Sequence, residues 1–194
     1  MTTEASASGT RRASGITVRG AQPSDFAQCR EIAIAVFEKD FGYGYLPQYH
    51  YDIDDLQGHY LEPRDHALFV AVDDATGKVI GMSAVKHIRA GVAPDAPKHV
   101  VERYERPSTA ELVRVYTHQA HRRRGVGKLL VAASKRYASL QTVYETMFLH
   151  TDASYPGAKE FWLSQGRLVH DNRNDPVAGD AKTMFFEIPL EKTR

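Results

Sequence analysis

The residues with the clearest chemical potential form a short cationic turn in the middle of the chain. Four cationic side chains surround two glycines in the run Arg122, Arg123, Arg124, Gly125, Val126, Gly127 and Lys128. Glycine allows positive φ angles and a close approach of the backbone to a ligand. Backbone N–H groups at the start of a helix have no internal partners and carry partial positive charge. A glycine turn that opens a helix therefore predicts a site for a phosphate or pyrophosphate group.

The sequence on either side of this turn predicts the elements that would position it. Residues 110–117 read Ala-Glu-Leu-Val-Arg-Val-Tyr-Thr, and their β-branched and aromatic content predicts a strand. Beyond the turn, apolar and small residues recur at helical spacing: Leu130, Ala133, Ser134, Tyr137 and Leu140. The unit is therefore predicted to run strand, turn, helix.

Two common phosphate-binding patterns do not fit this turn. A P-loop needs a glycine where Arg122 stands and a serine or threonine where Leu129 stands. The dinucleotide fingerprint needs its third glycine at Leu130. Its ribose-binding acid would have to be Glu145, which precedes the next apolar run instead of following it. Both readings are therefore rejected.

Length and composition set the limits of the interpretation. The 194 residues suit one domain, which we expect over residues 16–194, and residues 1–15 have the composition of a disordered tail. The one cysteine, Cys29, falls on the apolar stripe of a predicted helix, so we expect a core residue and a reducing cytoplasm. A net charge of +1 and the lack of a long apolar run argue against nucleic-acid and membrane partners.

The remaining patterns predict a mixed α/β sheet with helices on both faces. Further strands are predicted at 16–19, 67–72, 79–85, 146–151, 168–169 and 183–188. Helices are predicted to begin at Asp25, with Gln28 completing a capping box, at Asp52 and at Ala158. The long polar segment 89–108 is predicted to be a functional or mobile loop with a short helix near 100–105. The order is β-α-α-β-β-β-α-β-α-β-β.

The turn also carries a family resemblance. Its Arg-x-x-Gly-x-Gly pattern resembles the acyl-CoA pyrophosphate loop of the GCN5-related N-acetyltransferases, the GNAT superfamily. Residues 155–166 are similar to a second motif of that family, in which Ala158, Phe161 and Gly166 match. The resemblance covers about residues 16–188. It implies the GNAT fold, a mostly antiparallel mixed sheet of about seven strands, and an enzyme that uses acetyl-CoA as its acyl donor.

The resemblance also implies roles for individual residues. The run from Arg122 to Lys128 and Tyr155 would bind acetyl-CoA, and the backbone N–H groups of Val115, Tyr116 and Thr117 would polarise the thioester carbonyl. Glu111 lies where the protein-lysine branch of the family has its base. An amine with a pKa near 10.4 is neutral in only about one molecule in 2,500 at pH 7, so a base matters. The alternative reading of Glu111 is a carboxylate paired with Arg114 or a nearby lysine.

One departure from the family pattern concerns the acid that protonates the leaving thiolate. The family's tyrosine is replaced by Trp162, and an indole N–H cannot protonate a thiolate. Either another group protonates it (Tyr155, Tyr116 or a water molecule), or the thiolate leaves unassisted.

Residues 38–55, in which tyrosines and acidic residues are concentrated, form the segment predicted to bind the acceptor. Aromatic rings and carboxylates together suit an organic cation, so Asp40, Tyr43 and Tyr45 are candidate acceptor-binding residues. The ordinary alternative is that the acids complement a helix dipole and the tyrosines pack loops. We expect a small amine, with a protein lysine or N-terminus as the alternative acceptor.

Other classes of protein have less support. Because Trp162 replaces the family acid, a non-catalytic acyl-CoA sensor is an alternative, and Glu111 argues against it. The histidines show no metal-ligand spacing, and no Gly-x-Ser-x-Gly motif occurs. The near-neutral charge argues against a nucleic-acid binder. Family members often form homodimers, so a homodimer is a candidate assembly, although the sequence carries no interface signal.

Overall fold

The structure, a computed structural model, describes residues 11–13, 15–88 and 95–191, with only the backbone of residues 11–13. The chain forms two compact units, and each is discontinuous in sequence. The first comprises Met1–Val85 and Arg114–Tyr137, and the second comprises Lys86–Val113 and Ala138–Arg194. The single domain predicted over residues 16–194 stays a prediction.

The described residues contain eight strands and five α-helices. The strands are β1 (Arg11–Ala13), β2 (Ile16–Gly20), β3 (Ala67–Asp73), β4 (Val79–His87), β5 (Thr109–Thr117), β6 (Thr146–Asp152), β7 (Arg167–Asp171) and β8 (Thr183–Pro189). The helices are α1 (Phe26–Val36), α2 (Pro47–His50), α3 (Lys98–Tyr104), α4 (Val126–Leu140) and α5 (Ala158–Leu163). The chain passes between the two units within β4, within β5 and within α4.

The first unit is built on antiparallel strands that pair in the order β1, β2, β3, β4. Residues Ala67–Ala71 of β3 are all buried, as expected for a strand covered on both faces. In α1, Cys29, Ile32, Ala33 and Val36 are buried at helical spacing. The predicted core position of Cys29 is therefore confirmed, and burial raises the pKa of its thiol to about 12.

The second unit orders its strands β5, β6, β8, β7. The β5–β6 pairing is parallel, and the β6–β8 and β7–β8 pairings are antiparallel. Its core contains Ile88, Val100, Tyr104, Phe148 and Phe185, all buried. These pairings confirm the expected α/β class with a mixed, mostly antiparallel sheet. The sheet has one strand more than the seven expected, and the additional strand is β1.

Three local predictions need correction. The predicted disordered tail does not extend over residues 11–13, because their backbone pairs with β2 as β1; residues 1–10 and 14 lie outside the described residues. The capping box that precedes the first helix begins at Gln22, whose backbone N–H donates to the Asp25 carboxylate (2.8 Å). Gln28 does not complete that box, because its side chain accepts the N–H of Val79 (3.0 Å).

The predicted helix from Asp52 to Tyr60 is also wrong. A 3-10 turn at Tyr51–Ile53 and a π-helical turn at Gln57–Leu61 stand there instead. The Asp52 carboxylate accepts a hydrogen bond from the distant Arg114 (2.9 Å). The predicted short helix in segment 89–108 is α3, and residues 89–94 of that segment lie outside the described residues.

A charged cluster on β8 stabilises the second unit. The Glu187 carboxylate accepts hydrogen bonds from Tyr104 (2.5 Å), Arg103 (3.3 Å) and Arg167 (2.9 Å), and the Glu187 side chain is 14% exposed. Burial alone would raise the pKa of Glu187, but these hydrogen bonds and charges outweigh it and hold the pKa below its usual value. A carboxyl with a lowered folded-state pKa stabilises the fold above its unfolded pKa, and the contribution is lost as the pH falls through the folded value.

We therefore expect Glu187→Gln to lower the free energy of unfolding at pH 7 by about 1–3 kcal/mol. The difference from the wild type should shrink as the pH falls through the lowered folded-state pKa of Glu187. Chemical denaturation at pH 7 and at a series of lower pH values measures this. Glu102→Gln is the control, because its partner Lys98 is exposed and such pairs contribute about 0–1 kcal/mol. A deficit for Glu187→Gln that stays the same over the whole pH series would contradict the account.

Candidate active site

The cationic turn connects β5 to α4 in the first unit, as predicted. Backbone φ is positive at Arg123 (65°) and at Gly125 (80°), and glycine takes this conformation without steric cost. The first helical hydrogen bond joins the Leu129 N–H to the Gly125 carbonyl (3.1 Å). The N–H groups of the three preceding residues thus lie ahead of the helix's internal ladder. The turn has the geometry of an anion-binding helix start.

The four cations of the turn fall into two pairs. Arg122 forms a two-pronged ion pair with the Asp40 carboxylate, through Nη1 (3.1 Å) and Nη2. Arg124 donates to the Asp73 carboxylate (2.9 Å) and to Nδ1 of His121 (2.6 Å). Arg123 and Lys128 are exposed, and neither has an ion-pair partner among the described residues. Two cations thus fix the turn, and two are available to a ligand.

Arg114 is the centre of a buried polar network. Its side chain is 16% exposed and donates to both oxygens of Asp52 (2.9 and 2.5 Å). It also donates to the Tyr49 carbonyl (2.7 Å) and to the Tyr116 hydroxyl (3.2 Å). The hydroxyl of Tyr60, a residue that is less than 2% exposed, donates a hydrogen bond to the Asp52 carboxylate (2.5 Å). Arg114 has φ of 56° within β5, which breaks the regular geometry of the strand.

Next to this network lies a group of five aromatic side chains that we call the ring cluster: Phe37, Phe41, Tyr43, His50 and Tyr116. Phe37 and His50 are stacked, with centroids 3.7 Å apart and planes at 9°. Tyr43 lies nearly parallel to His50 at 5.9 Å, and Tyr116 meets Phe37 edge-on at 5.8 Å. His50 accepts the Leu46 N–H at Nδ1 (3.0 Å). Burial, and then the charge of Arg114, lower the pKa of His50, so its ring is neutral at pH 7.

The predicted acceptor residues lie in this region, but the acids have arginine partners. Asp40 pairs with Arg122, and Asp52 pairs with Arg114. Asp54 accepts hydrogen bonds from Arg30 (3.2 Å) and from the hydroxyl of Tyr45. Tyr43 belongs to the ring cluster and is half exposed. The ion pairs of these carboxylates hold the segment in place, and the arginine partners already compensate the negative charge.

Glu111 lies in the second unit and is buried, with its side chain 7% exposed. Its carboxylate pairs with the ammonium of Lys86 (3.1 Å), and Nδ1 of His150 lies 3.9 Å away. The sequence also predicted, as an alternative, that Glu111 pairs with a nearby lysine, and this ion pair is present. Arg114, the other partner considered, pairs with Asp52. The role of Glu111 as a base stays a prediction.

The residues of the second family motif also lie in the second unit. Tyr155 is half-buried ahead of α5, and Trp162 is buried within α5 with its ring edge-on to Phe161 at 4.8 Å. Gly166 follows α5 at a close approach, since a Cβ atom there would lie 2.3 Å from the Glu187 carbonyl oxygen. Close packing against β8 therefore accounts for the glycine at position 166. Trp162 is part of the buried core.

Sequence reasoning did not assign a site role to three of these residues. His50 was one of many histidines, and only the fold stacks it on Phe37. Lys86 lies near the end of β4, a strand of ordinary composition. Gly81 lies where β4, β5 and α4 meet, because a Cβ atom there would lie 2.9 Å from the Tyr116 carbonyl oxygen. A glycine within an apolar strand was the only signal for that close approach.

Among the described residues, no group of three or more histidine, cysteine or acidic side chains is arranged to hold a metal ion. Within the same residues, no helix is both long and apolar enough to cross a membrane.

Comparison with known proteins gives a consistent result. The acetyltransferase (GNAT) family matches residues 26–166. An acetyltransferase of the GNAT family from Staphylococcus aureus Mu50 is similar in structure, with a TM-score of 0.68, 14% identity and coverage of 91% of this chain and 99% of that one. A GCN5-related N-acetyltransferase from Kribbella flavida has a TM-score of 0.64 and 19% identity, over 91% and 98% of the two chains.

Arabidopsis thaliana NAA60, solved in complex with a bisubstrate analogue, has a TM-score of 0.62 and 16% identity, over 92% of this chain and 99% of that one. Among curated proteins there is no significant match. At these identities the solved structures establish the fold, whereas the family match covers more than half of the chain. The fold and the turn define an N-acetyltransferase. The chain belongs to the acetyltransferase (GNAT) family, whose members use acetyl-CoA as the donor.

The Arg114 network predicts a large effect on stability. Asp52→Asn removes the charge opposite a buried guanidinium, and breaking such a pair costs about 3–5 kcal/mol. Chemical denaturation should therefore give a much lower free energy of unfolding. Asp54→Asn, in an exposed pair with Arg30, should cost at most about 1 kcal/mol. Equal losses in the two variants would show that the Arg114 network does not stabilise the first unit.

Proposed function

We propose that this N-acetyltransferase transfers the acetyl group of acetyl-CoA to the primary amine of a small molecule. The observation that carries the proposal is the joining of the ring cluster to the cationic turn within the first unit. Asp40 follows Phe37 in one π-helical turn, Phe37–Phe41, and binds Arg122 of the cationic turn. Tyr116, at the end of β5, packs against Phe37 and Phe41. An aromatic cluster beside the proposed donor loop suits a small acceptor.

The donor would bind through the turn. Its pyrophosphate would accept hydrogen bonds from the N–H groups of Val126, Gly127 and Lys128, and the side chains of Arg123 and Lys128 would add charge. Arg122 and Arg124 would hold the turn through their carboxylate partners. The backbone N–H groups of Val115–Thr117 would polarise the thioester carbonyl, where negative charge develops during attack. Tyr155 remains a proposed contact of the donor.

The reaction would be a direct attack without an acyl-enzyme. The amine nitrogen forms a bond to the thioester carbonyl carbon, the C–S bond breaks, and the sulfur takes the bonding electrons as the thiolate. The proton of the amine passes to a base, for which we propose the Glu111 carboxylate, directly or through water. The products are an N-acetyl amide and CoA.

Tyr116 is our proposal for the acid that protonates the thiolate. Arg114 donates to its hydroxyl oxygen (3.2 Å), which leaves the hydroxyl hydrogen available to another acceptor. Burial raises the pKa of Tyr116, and the nearby Arg114 acts in the opposite direction. The phenol therefore remains protonated at neutral pH and able to donate. Trp162 is buried in α5 and carries no acidic group.

A protein lysine or N-terminus is the second candidate acceptor. It is favoured by the exposure of Tyr43 (50%), Tyr49 (62%) and Tyr51 (45%), which a peptide chain could cover. Thiol-release assays on small amines and on lysine peptides separate the two. Release with a small amine but not with peptides supports the proposal, and release with peptides alone contradicts it. Acetyl-CoA binding without turnover on any acceptor would favour a sensor.

The donor site predicts the effect of a charge in the turn. Gly125→Glu places a side chain in a left-handed conformation and an anion beside the proposed pyrophosphate. We expect calorimetry to find acetyl-CoA binding lost. Gly179→Glu, at another positive-φ glycine (60°) in the loop between β7 and β8, is the control for backbone strain. Unchanged affinity in Gly125→Glu would remove the turn as the donor site.

The proposed base predicts a pH signature. Glu111→Gln should lower turnover at pH 7 by about 10²–10⁴-fold, with little change in acetyl-CoA affinity. The deficit should narrow towards pH 10, where a primary amine with a pKa near 10 is largely neutral without a base. The pH dependence of turnover measures this. Wild-type turnover, or a deficit that is constant with pH, would exclude Glu111 as the base.

A further inference from the structure

The cationic turn is joined to the end of β3 by three polar side chains that meet at one point. Nη1 of Arg124 lies 2.9 Å from Oδ2 of Asp73 and 2.6 Å from Nδ1 of His121. The same Nδ1 lies 3.8 Å from the same Oδ2. All three residues belong to the first unit. One carboxylate oxygen therefore lies close to two side chains that can carry positive charge.

These contacts determine where the hydrogen of His121 lies. A guanidinium has only N–H donors, so Nδ1 of His121 must accept the hydrogen bond from Arg124. The imidazole in this arrangement is therefore neutral, with its hydrogen on Nε2. Asp73 is an anion, because the hydrogen bond from Arg124 holds the pKa of its carboxyl below the usual value.

A proton on Nδ1 of His121 would be incompatible with this arrangement. An imidazolium has no acceptor atom, so the hydrogen bond from Arg124 would be lost and two like charges would face each other. Both cations would then compete for Oδ2 of Asp73. The exposures indicate which one leaves, because the side chain of Arg124 is 41% exposed, that of His121 is 26% exposed and that of Asp73 is 9% exposed. The long, exposed arginine is the group that can turn outwards.

The other polar groups around His121 do not oppose this change. The ring of His118 meets that of His121 nearly edge-on at 5.7 Å, and Nδ1 of His118 accepts the N–H of Ala120 (3.3 Å). Arg122, the next residue in the chain, is paired with Asp40. In the described part of the chain, no other charged side chain is paired with His121. Asp73 is thus the one anion for which Arg124 and a protonated His121 compete.

We propose that His121 is a positioning residue for the acyl donor, whose protonation releases Arg124 from Asp73 to the pyrophosphate and tightens acetyl-CoA binding as the pH falls. This inference rests on the donor site of the proposed function and adds a proton-dependent component to it. When His121 is neutral, Arg124 holds the turn. When His121 is protonated, Arg124 joins Arg123 and Lys128 as a cation available to phosphate.

The test is calorimetric titration with acetyl-CoA at about pH 8 and about pH 5.5, near the two ends of the range in which imidazoles titrate. His121→Gln keeps an acceptor for Arg124 but cannot take up a proton. We expect equal affinities for the two proteins at the higher pH. At the lower pH the wild type should bind about two- to fivefold more tightly than the variant, the size of one exposed ion pair. Protonation of the ligand's phosphates affects both proteins equally, so it cancels in this ratio.

Two further variants test the route. His118→Gln is the matched control, because His118 lies in the same turn and has no bond to Arg124 or Asp73 among the described residues. It should keep the pH dependence of the wild type. In an Arg124→Gln background, the additional change His121→Gln should no longer alter the pH dependence of the affinity. Chemical denaturation at both pH values checks that each variant is folded.

A second measurement detects the proton itself. Because coupling between two ligands is reciprocal, donor binding should favour protonation of His121. Titrations at the middle of the pH range, in two buffers of different ionisation enthalpy, should therefore show more proton uptake on acetyl-CoA binding in the wild type than in His121→Gln. A side chain that only stabilised the turn would not change this number.

The contradicting outcomes can be told apart. An affinity ratio between the wild type and His121→Gln that is constant with pH, or weaker binding by the wild type at the lower pH, would overturn the inference and leave the donor site standing. An undiminished effect of His121 in the Arg124→Gln background would also overturn it, because the charge would then act without Arg124. Unchanged acetyl-CoA affinity in Gly125→Glu would remove the turn as the donor site, and the inference with it.

Discussion

The first unit depends on one buried charge. Arg114 lies in a left-handed conformation within a strand, which is costly for a residue with a Cβ atom, and its guanidinium is largely removed from water. Both costs are offset only because Asp52, the Tyr49 carbonyl and the Tyr116 hydroxyl are all hydrogen bonded to it. The same bonds tie residues 49–60 to β5 and set the position of Tyr116. The network thus joins the stability of the first unit to the geometry of the proposed acceptor site.

A similar division of roles holds for the other charges. In the cationic turn, the arginines with carboxylate partners hold the backbone, and the two exposed cations without partners among the described residues are available to phosphate. In the proposed acceptor segment, Asp40, Asp52 and Asp54 are paired with arginines, which would leave the aromatic side chains to contact an acceptor. Ion pairs at a surface contribute little to stability, so Asp40 and Arg122 matter for the position they impose on the segment 37–41.

Local patterns were sufficient to predict much of this protein. Glycine chemistry and periodicity identified the turn and its flanking strand and helix, and the apolar spacing identified Cys29 as a core residue. The pairing of charges could not be predicted, because Asp40 and Arg122 are 82 residues apart and meet only in the fold. For the same reason the sequence suggested a site for a cation, where the structure has neutralised carboxylates. The helix predicted at Asp52 is replaced by a 3-10 turn, and the Asp52 carboxylate accepts hydrogen bonds from Arg114, 62 residues away, which no local pattern could indicate.

The most direct test of the account is a crystal structure of the enzyme with a bisubstrate analogue, in which a small primary amine is joined through an acetyl group to CoA. The account predicts that the pyrophosphate lies against the N–H groups at the start of α4, and that the amine portion lies beside the ring cluster. The Asp52–Arg114 pair should be unchanged in the complex. A pyrophosphate bound away from residues 122–128 would contradict the central claim, whatever the position of the amine.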